Sequence, residues 1–319
     1  MFTKLTEQLK ANPKTIVFTE GTDPRIQDAA AKLTAEGILN VILLGNPDAV
    51  KLTAADAKYD ISKCEIIDPA RYADKDAMVE KMVELRKGKM TEEQVRDALS
   101  KGNYFGTMLV KMGKADCLLG GATYSTADTV RPALQLIKTK PGNNNVSSCF
   151  IMVKDDQKLA MGDCAINIAP NEDELVEIAV ETAKTAKVFG IDPKVAMLSY
   201  STYGSGKGDM VTLVANATKK IKEAAPDLAV DGELQFDAAV APEVAKVKCA
   251  GSPVAGQANT FIFPDINAGN IGYKIAARLG GYEAIGPVLQ GLNAPINDLS
   301  RGCNAEEVYK MALVTAALS

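Results

Sequence analysis

The sequence predicts an α/β protein built from two domains. Short apolar, strand-like segments alternate with helical patterns along the whole chain, which is typical of α/β sheets. Apolar residues make up 47% and charged residues 24% of the 319 positions, an ordinary globular mixture. Single hydrophobic cores usually stop growing at about 250–300 residues, so a chain of this length is expected to form two.

The first predicted elements form a βαβ unit. Residues 15–18 are strand-like, Asp23 is a helix N-cap followed by proline, and Gly37 ends the helix. A second buried strand follows at residues 41–44. The unit places residues 20–23 at the carboxyl end of a strand, where open α/β sheets bind ligands.

The alternation continues up to a polar, turn-rich segment at residues 138–145, and resumes after it. This segment is the best point for the chain to cross between domains. The predicted elements before it are helices at 75–85 and 92–100, a strand at 116–119 and a helical stretch at 133–137. Those after it are a strand at 149–153, a helix from Asn171 to Gly190, a strand at 195–200, a helix with an apolar face from Met210 to Ile221, and a helix at 308–318.

The composition excludes several classes of function. A net charge of -4 gives no general attraction to nucleic acid or anionic lipid, and no apolar run approaches the ~18 residues of a membrane span. The first residues lack a secretory signal, so a cytoplasmic location is expected. The sequence has no histidine, which removes Ser-His-Asp and Cys-His catalysis and histidine-based metal sites. Its six cysteines form no C-x-x-C pair, so we predict reduced thiols and no metal site.

Residues 204–208 (GSGKG) form a glycine-rich loop that contains a lysine. Such loops cradle phosphate when backbone N–H groups face an anion at a helix start, but the spacing of a Walker A motif is missing. Two interpretations stay open. The segment is either a flexible turn or a mobile edge of a ligand site.

Two other segments place hydroxyl groups beside an arginine. Ser125 and Thr126 precede Arg131, and Ser300 directly precedes Arg301. The planar fork of arginine suits phosphate and carboxylate groups, and a serine beside it could stabilise an oxyanion. The competing interpretation is that Ser125 caps a helix and that the arginines are solvated surface residues.

Glu307 also has two interpretations. It stands three residues after Asn304 at the start of the last predicted helix, which is the spacing of a capping box. A carboxylate close to Ser300 and Arg301 is equally a candidate general base. The spacing does not choose between a cap and a base.

Four strings together resemble the phosphate acetyltransferase family. They occur in the family's order and are residues 103–110 (NYFGTMLV), 125–134 (STADTVRPAL), 231–239 (DGELQFDAA) and 297–303 (NDLSRGC). The resemblance implies two α/β domains with an intervening cleft, as in isocitrate and isopropylmalate dehydrogenases, and a homodimer. It also implies that residues 1–143 and 289–319 form the first domain and residues 144–288 the second.

The resemblance further implies reversible transfer of an acetyl group between coenzyme A and inorganic phosphate. Acetyl-CoA and acetyl phosphate would be the acylated substrates, with no tightly bound cofactor and no nucleic-acid or membrane partner. By resemblance, Ser300 and Arg301 hold acetyl phosphate, and Glu307 falls at the position of the base, where many relatives resemble Asp. The implied residues for binding substrate or coenzyme A are Arg86, Ser125, Thr126, Arg131 and Arg278.

Several alternatives remain at this point. A phosphate butyryltransferase would run the same reaction on a longer acyl chain, and a non-catalytic protein would only bind coenzyme A or acetyl phosphate. A decarboxylating dehydrogenase of similar architecture would need a metal-carboxylate set and a nicotinamide site that the sequence does not display. A covalent route through Cys303 or Cys164 competes with direct thiolate attack in a ternary complex.

Overall fold

The computed structural model of the chain describes residues 2–319. The chain divides into two units, Met1–Pro141 with Leu292–Ser319 (unit 1) and Gly142–Gly291 (unit 2). None of the described helices is both long and apolar enough to cross a membrane.

The first part of the chain, up to the π-helical turn, contains α1 Phe2–Ala11, β1 Lys14–Phe18, α2 Pro24–Ala35, β2 Leu39–Leu44, α3 Pro47–Ala57, β3 Glu65–Ile67, α4 Lys75–Leu85, α5 Glu92–Ala98, α6 Gly102–Lys111, β4 Cys117–Gly120, α7 Thr126–Pro132 and the turn itself, Ala133–Ile137. The rest contains β5 Ser147–Lys154, β6 Gln157–Gly162, α8 Glu172–Val188, β7 Lys194–Leu198, α9 Asp209–Ala224, β8 Ala229–Leu234, α10 Phe236–Val240, α11 Pro242–Lys248, β9 Thr260–Ile262, α12 Ile266–Arg278, β10 Glu283–Gln290, β11 Ile296–Asp298 and α13 Ala305–Ala317.

The βαβ unit predicted at the start of the chain is confirmed by β1, α2 and β2. Asp23 caps α2 by accepting the backbone N–H of Arg25, and a proline occupies the first turn. Gly37 follows the helix with a φ of 64°, a left-handed conformation that glycine adopts without a steric cost. Local capping chemistry therefore fixes both ends of this helix.

Unit 1 is organised around a five-stranded sheet in the order β11-β4-β1-β2-β3, in which every neighbouring pair is parallel. The chain moves from β1 to β2 and β3 on one side, and then crosses back to place β4 on the other side of β1. This reversal is a topological switch point, where the loops leave a crevice at the carboxyl ends of the strands. The loops that follow β1, β4 and β11 all leave this edge.

The C-terminal helix α13 packs against α2, β1 and β4 of unit 1. Its inward side chains are almost fully buried, so the tail is part of the hydrophobic core. They are Val308, Met311, Ala312, Leu313, Val314, Thr315 and Ala316.

Unit 2 contains a six-stranded sheet in the order β10-β5-β6-β9-β7-β8. The pairs β10–β5 and β5–β6 are antiparallel, and the remaining pairs are parallel. One core cluster includes Phe150 and Phe261, and another contains Leu175 and Ile178 of α8 with Ile221 of α9. Helices and strands of the unit thus share two apolar cores.

Three predicted elements differ in detail from the structure. The stretch at 133–137 is a π-helical turn that continues α7, and the N–H of Lys138 donates to the carbonyl of Ala133 at 3.0 Å. Pro132, the last residue of α7, has no N–H group to donate to the carbonyl four residues before it. The strand predicted at 195–200 ends at Leu198. In α9 the inward face begins at Val211, while Met210 remains 38% exposed.

Candidate active site

Unit 1 brings two of the predicted site segments together at the carboxyl edge of its sheet. Asp298, at the end of β11, accepts hydrogen bonds from the hydroxyl groups of Thr126 and Thr129, each at 2.6 Å. Because Thr126 begins α7, this carboxylate joins the segment of Ser300 to the segment of Ser125 and Thr126. Desolvation raises the pKa of Asp298, and the two threonine hydrogen bonds offset it only in part.

Ser300 and Arg301 lie in an exposed turn directly after β11. The turn is closed by the N–H of Cys303, which donates to the carbonyl of Ser300 at 3.0 Å, and the Ser300 hydroxyl accepts the N–H of Gly302 at 3.3 Å. Among residues 2–319, no acceptor is found for the side chain of Arg301. Its guanidinium group is therefore available to an anion from solution.

Glu307 forms the capping box predicted from the sequence. Its N–H donates to Asn304 Oδ1 at 2.9 Å, and its Oε2 accepts the N–H of Asn304 at 3.0 Å. Within the described chain, no hydrogen bond occupies Oε1. The cap is thus confirmed, and it leaves one carboxylate oxygen exposed beside the Ser300 turn.

Ser125 occupies the N-cap position of α7 but does not cap it in the predicted way. Its hydroxyl donates to Asp128 Oδ2 at 2.7 Å and makes no side-chain hydrogen bond to the backbone of the helix. This hydrogen bond is the main reason that the pKa of Asp128 is lowered. Arg131 is exposed, with a nitrogen 3.6 Å from the other oxygen of Asp128.

Arg86 and Arg131 line one pocket of about 640 Å³ within unit 1. Arg86 follows the last residue of α4, as the sequence predicts, and its Nε atom is buried without a partner in the described residues. Lys89, Lys101 and Tyr104 lie in the same wall. Glu93 and Asp97 also line the pocket, so its four cationic side chains outnumber its carboxylates, and one of its guanidinium donors is unsatisfied.

Arg278 lies in unit 2. It is the last residue of α12 and is exposed. A cation at this position complements the negative end of the helix dipole.

Glu20 joins the loops after β1 and β4. The sequence places residues 20–23 together at the end of a strand, but it does not distinguish Glu20 from its neighbours. Its Oε1 accepts the backbone N–H groups of Gly121 at 3.0 Å and Thr123 at 3.1 Å, and its Oε2 accepts the hydroxyl of Thr19 at 2.7 Å. Burial raises the pKa of Glu20, although these hydrogen bonds oppose the shift. A partly desolvated carboxylate therefore stands at the switch point.

Arg25 joins all three loops, and sequence reasoning missed it. Its guanidinium contacts Asp23 after β1, the carbonyl of Ala122 after β4, and the carbonyls of Arg301 and Cys303 after β11. These partners stand up to 278 residues away along the chain, so no local pattern marks them.

The cysteines named in the covalent alternative are poor thiolate candidates. Cys303 and Cys164 are buried, and burial raises the pKa of both thiols. Among residues 2–319, no three His, Cys, Asp or Glu side chains are close enough together to hold a metal ion.

The glycine-rich loop at 204–208 makes hydrogen bonds with side chains of unit 2. Glu233, 4% exposed, accepts the N–H of Gly204 at 2.6 Å and the hydroxyl of Ser201 at 2.9 Å. The hydroxyl of Tyr200 donates to the carbonyl of Lys207 at 2.8 Å. One N–H group of the loop, that of Gly204, is thus taken by a carboxylate of the protein itself.

Comparison with known proteins identifies the family. Residues 1–316 match the family described as phosphate acetyl/butaryl transferase. The chain belongs to the phosphate acetyl/butaryl transferase family. A curated member, phosphate acetyltransferase of Bacillus subtilis strain 168, is 53% identical over 317 residues, which cover 99% of this chain and 98% of that protein.

Solved structures support the same assignment to the phosphate acetyl/butaryl transferase family. A phosphotransacetylase from Streptococcus pyogenes is 55% identical and superposes with a TM-score of 0.97, over 99% of this chain and 97% of that one. A putative 4-hydroxythreonine-4-phosphate dehydrogenase from Salmonella typhimurium is 12% identical with a TM-score of 0.57, over 97% of this chain and 100% of that one, which concerns the fold alone. The predicted family and α/β fold class are confirmed.

Proposed function

We propose that the chain is a phosphate acetyltransferase, which reversibly converts acetyl-CoA and inorganic phosphate to acetyl phosphate and coenzyme A. The observation that carries this proposal is the exposed Ser300–Arg301 turn, whose guanidinium has no acceptor among residues 2–319. The identity of more than half of all positions to relatives named for this activity supports it. No feature favours a longer acyl chain.

Acetyl phosphate is proposed to bind at this turn. A planar guanidinium forms paired, charge-assisted hydrogen bonds with phosphate oxygens, so Arg301 would hold the phosphoryl end. The hydroxyl of Ser300 would then face the acetyl carbonyl. Thr126 donates its proton to Asp298, so its hydroxyl oxygen remains free only to accept a hydrogen bond from a substrate.

Coenzyme A is proposed to use the pocket shared by Arg86 and Arg131. Its phosphate groups need cationic partners, and the unsatisfied Nε of Arg86 is a donor that a phosphate oxygen would satisfy. Arg278, in unit 2, is also proposed to bind substrate, on the strength of the family resemblance alone. No tightly bound cofactor is needed for the reaction.

In the proposed mechanism, Glu307 accepts the proton of the coenzyme A thiol through its exposed Oε1. The thiolate then attacks the acetyl carbonyl carbon, forming the C–S bond and a tetrahedral oxyanion. Ser300 donates a hydrogen bond to that oxyanion, an interaction worth typically about 2.7–4 kcal/mol. Collapse of the intermediate breaks the bond to the phosphate oxygen, and phosphate leaves with its charge balanced by Arg301.

Direct transfer in a ternary complex is preferred to a covalent enzyme intermediate. The raised pKa values of the Cys303 and Cys164 thiols leave little thiolate to act as a nucleophile. Initial rates measured with both substrates varied should give intersecting lines. Parallel lines together with partial isotope exchange would instead require the covalent route.

The decisive experiment follows acetyl-CoA formation from acetyl phosphate and coenzyme A at the thioester absorbance. We expect turnover by the wild-type protein and a loss of about 10²-fold or more in kcat/KM for Arg301→Ala, since one transition-state contact is removed. Arg96→Ala is the matched control, because Arg96 is an exposed arginine of unit 1 paired with Asp76 and Glu92. Coenzyme A binding without turnover would favour the non-catalytic binder.

A homodimer in the cytoplasm is also proposed. An apolar stripe on α12, formed by Ile271 and Ile275, is 57% and 54% exposed and supports contact with a second copy. All six cysteines are free thiols, which suits a reducing compartment. Sedimentation equilibrium would give twice the mass of the chain if the dimer forms.

A further inference from the structure

Arg25 is a guanidinium group with every donor in use. Nε donates to Asp23 Oδ1 at 3.0 Å, and Nη2 donates to Asp23 Oδ2 at 2.7 Å and to the carbonyl of Ala122 at 3.0 Å. Nη1 donates to the carbonyls of Arg301 at 2.9 Å and Cys303 at 3.0 Å. An arginine has five N–H donors, so none remains for a substrate.

We propose that Arg25 is a positioning residue for acetyl transfer, which fixes the backbone of the Ser300–Cys303 turn so that Ser300 and Arg301 meet the substrate in a reactive geometry. The proposal rests on the proposed function. It assigns Arg25 no contact with substrate.

The geometry of the turn explains why one side chain is enough. The two carbonyls that Nη1 holds belong to Arg301 and Cys303, on either side of Gly302. On the inner side, the turn is closed by the hydrogen bonds from Cys303 and Gly302 back to Ser300. Glycine restrains its own backbone least of all residues, so an external brace is needed to hold this turn in one conformation.

The other end of the brace is anchored in the sheet. Asp23 caps α2 while pairing with Arg25 through both carboxylate oxygens, and its side chain is 10% exposed. Desolvation works to raise the pKa of Asp23, but the hydrogen bonds from Arg25 outweigh it and hold the pKa below its ordinary value. The guanidinium is thus tied to β1, through its loop, and to β4, through Ala122.

Lysine in place of Arg25 cannot make these contacts. An ammonium group is a single point with three donors, whereas the contacts to Asp23, Ala122 and the turn require a planar fork that points in three directions. Displacement of catalytic groups by about 1 Å can cost about 10²-fold in rate. The two arginines therefore have different roles. Arg301 would bind the anion directly, whereas Arg25 makes all its hydrogen bonds within the protein.

The test compares Arg25→Lys and Arg25→Gln with the control Arg96→Lys. We expect kcat to fall about 10- to 10²-fold for both Arg25 variants, after correction for the folded fraction, while KM for acetyl phosphate and for coenzyme A stays within about 3-fold. An unchanged kcat for Arg25→Lys would overturn the proposal. So would a loss confined to KM, because Arg25 would then bind substrate directly.

A second measurement does not depend on activity. Hydrogen exchange followed by mass spectrometry should show faster exchange of the amides in residues 299–304 of Arg25→Gln, and no change there for Arg96→Lys. Unchanged protection of that segment in Arg25→Gln would overturn the bracing, whatever the kinetics. If the wild-type protein forms no acetyl-CoA, the proposed function fails, and this exchange experiment still decides whether Arg25 holds the turn.

Discussion

Glu307 combines a structural contact and an exposed basic oxygen in one carboxylate. Oε2 completes the capping box of α13, and Oε1 has no hydrogen bond within residues 2–319. The side chain of Glu is one methylene longer than that of Asp, which lets it reach back to the N–H of Asn304. The two interpretations left open by the sequence are therefore compatible with each other.

Glu307→Gln separates the two tasks. Glutamine keeps the capping box but cannot accept the thiol proton, so we expect kcat to fall about 10²- to 10⁴-fold with an unchanged thermal midpoint. Glu174→Gln is the matched control, because Glu174 completes an equivalent capping box with Asn171 in α8. If Glu307→Gln retained full turnover, Glu307 would be only a cap and another group would have to deprotonate coenzyme A.

Glu20 should make its own contribution to the pH dependence of stability. Its pKa is raised, above all by burial, so its stabilising effect is complete below the ordinary value of 4.5 and is lost as the pH rises through the folded-state pKa. Glutamine at this position does not titrate. The unfolding free energy of Glu20→Gln, relative to wild type, should therefore rise as the pH increases above the ordinary value of 4.5.

Glu84→Gln provides a control of opposite sign. The hydrogen bond from Lys81 lowers the pKa of Glu84, so wild type gains stability over this variant as the pH rises. Urea denaturation at several pH values measures both trends. A flat difference for Glu20→Gln would show that its carboxylate has the same pKa in the folded and unfolded states.

The sequence identified those site residues whose signal lies in their immediate neighbours along the chain. Ser300 and Arg301 are adjacent, and Asn304 caps α13 from three residues before Glu307. Arg25 and Glu20 instead make their distinguishing hydrogen bonds with partners about 100 or more residues away in the chain. Their own surroundings in the sequence show only an N-cap and a strand end.

At the scale of elements, the loop after β4 is shaped by one close approach. Gly121 has a φ of 99°, and a Cβ atom there would lie 2.2 Å from Asp298 Oδ1. The same carboxylate holds Thr126 and Thr129 of α7. The entry into α7 and the end of β11 therefore fit together only when residue 121 has no side chain.

Gly121→Ala should be much more destabilising than an alanine at a glycine with open surroundings. Gly113 is the control, because its φ is 70° and nothing lies within 4 Å of a Cβ placed there. Both variants incur about 1–2 kcal/mol for the left-handed backbone, and only Gly121→Ala adds the clash with Asp298. Unfolding in urea measures the difference. Equal losses would mean that Asp298 moves aside freely.

Helix ends were predictable because their signals lie within a few residues, as the boundaries of α2, α4 and α8 show. The order of the strands was not, since a parallel register is set by packing between segments distant in the chain. The π-helical turn after Pro132 was missed for a related reason. Proline marks where the hydrogen-bond ladder breaks, but not how it resumes.

On the scale of the whole molecule, the two units differ in chain continuity. Gly142–Gly291 is one uninterrupted segment with its own sheet and cores, whereas the other unit needs β11 and α13 from beyond it. Without them, β4 becomes an edge strand and α2 loses its neighbour α13.

We therefore expect a fragment of residues 142–291 to unfold cooperatively by itself. A fragment of residues 1–141 should not, because it exposes the surfaces that α13 buries in the full chain. Circular dichroism during thermal unfolding measures both. A cooperative transition in the 1–141 fragment would show that its sheet closes without the tail.

Chain continuity also sets an order of events during synthesis. The ribosome must complete the whole of residues 142–291 before β11 exists, so the nascent unit 2 can fold while the sheet of unit 1 still lacks a strand. The Ser300 turn follows that missing strand directly. We therefore expect the nascent chain to pass through a stage in which unit 2 is folded and the proposed reaction centre is still incomplete.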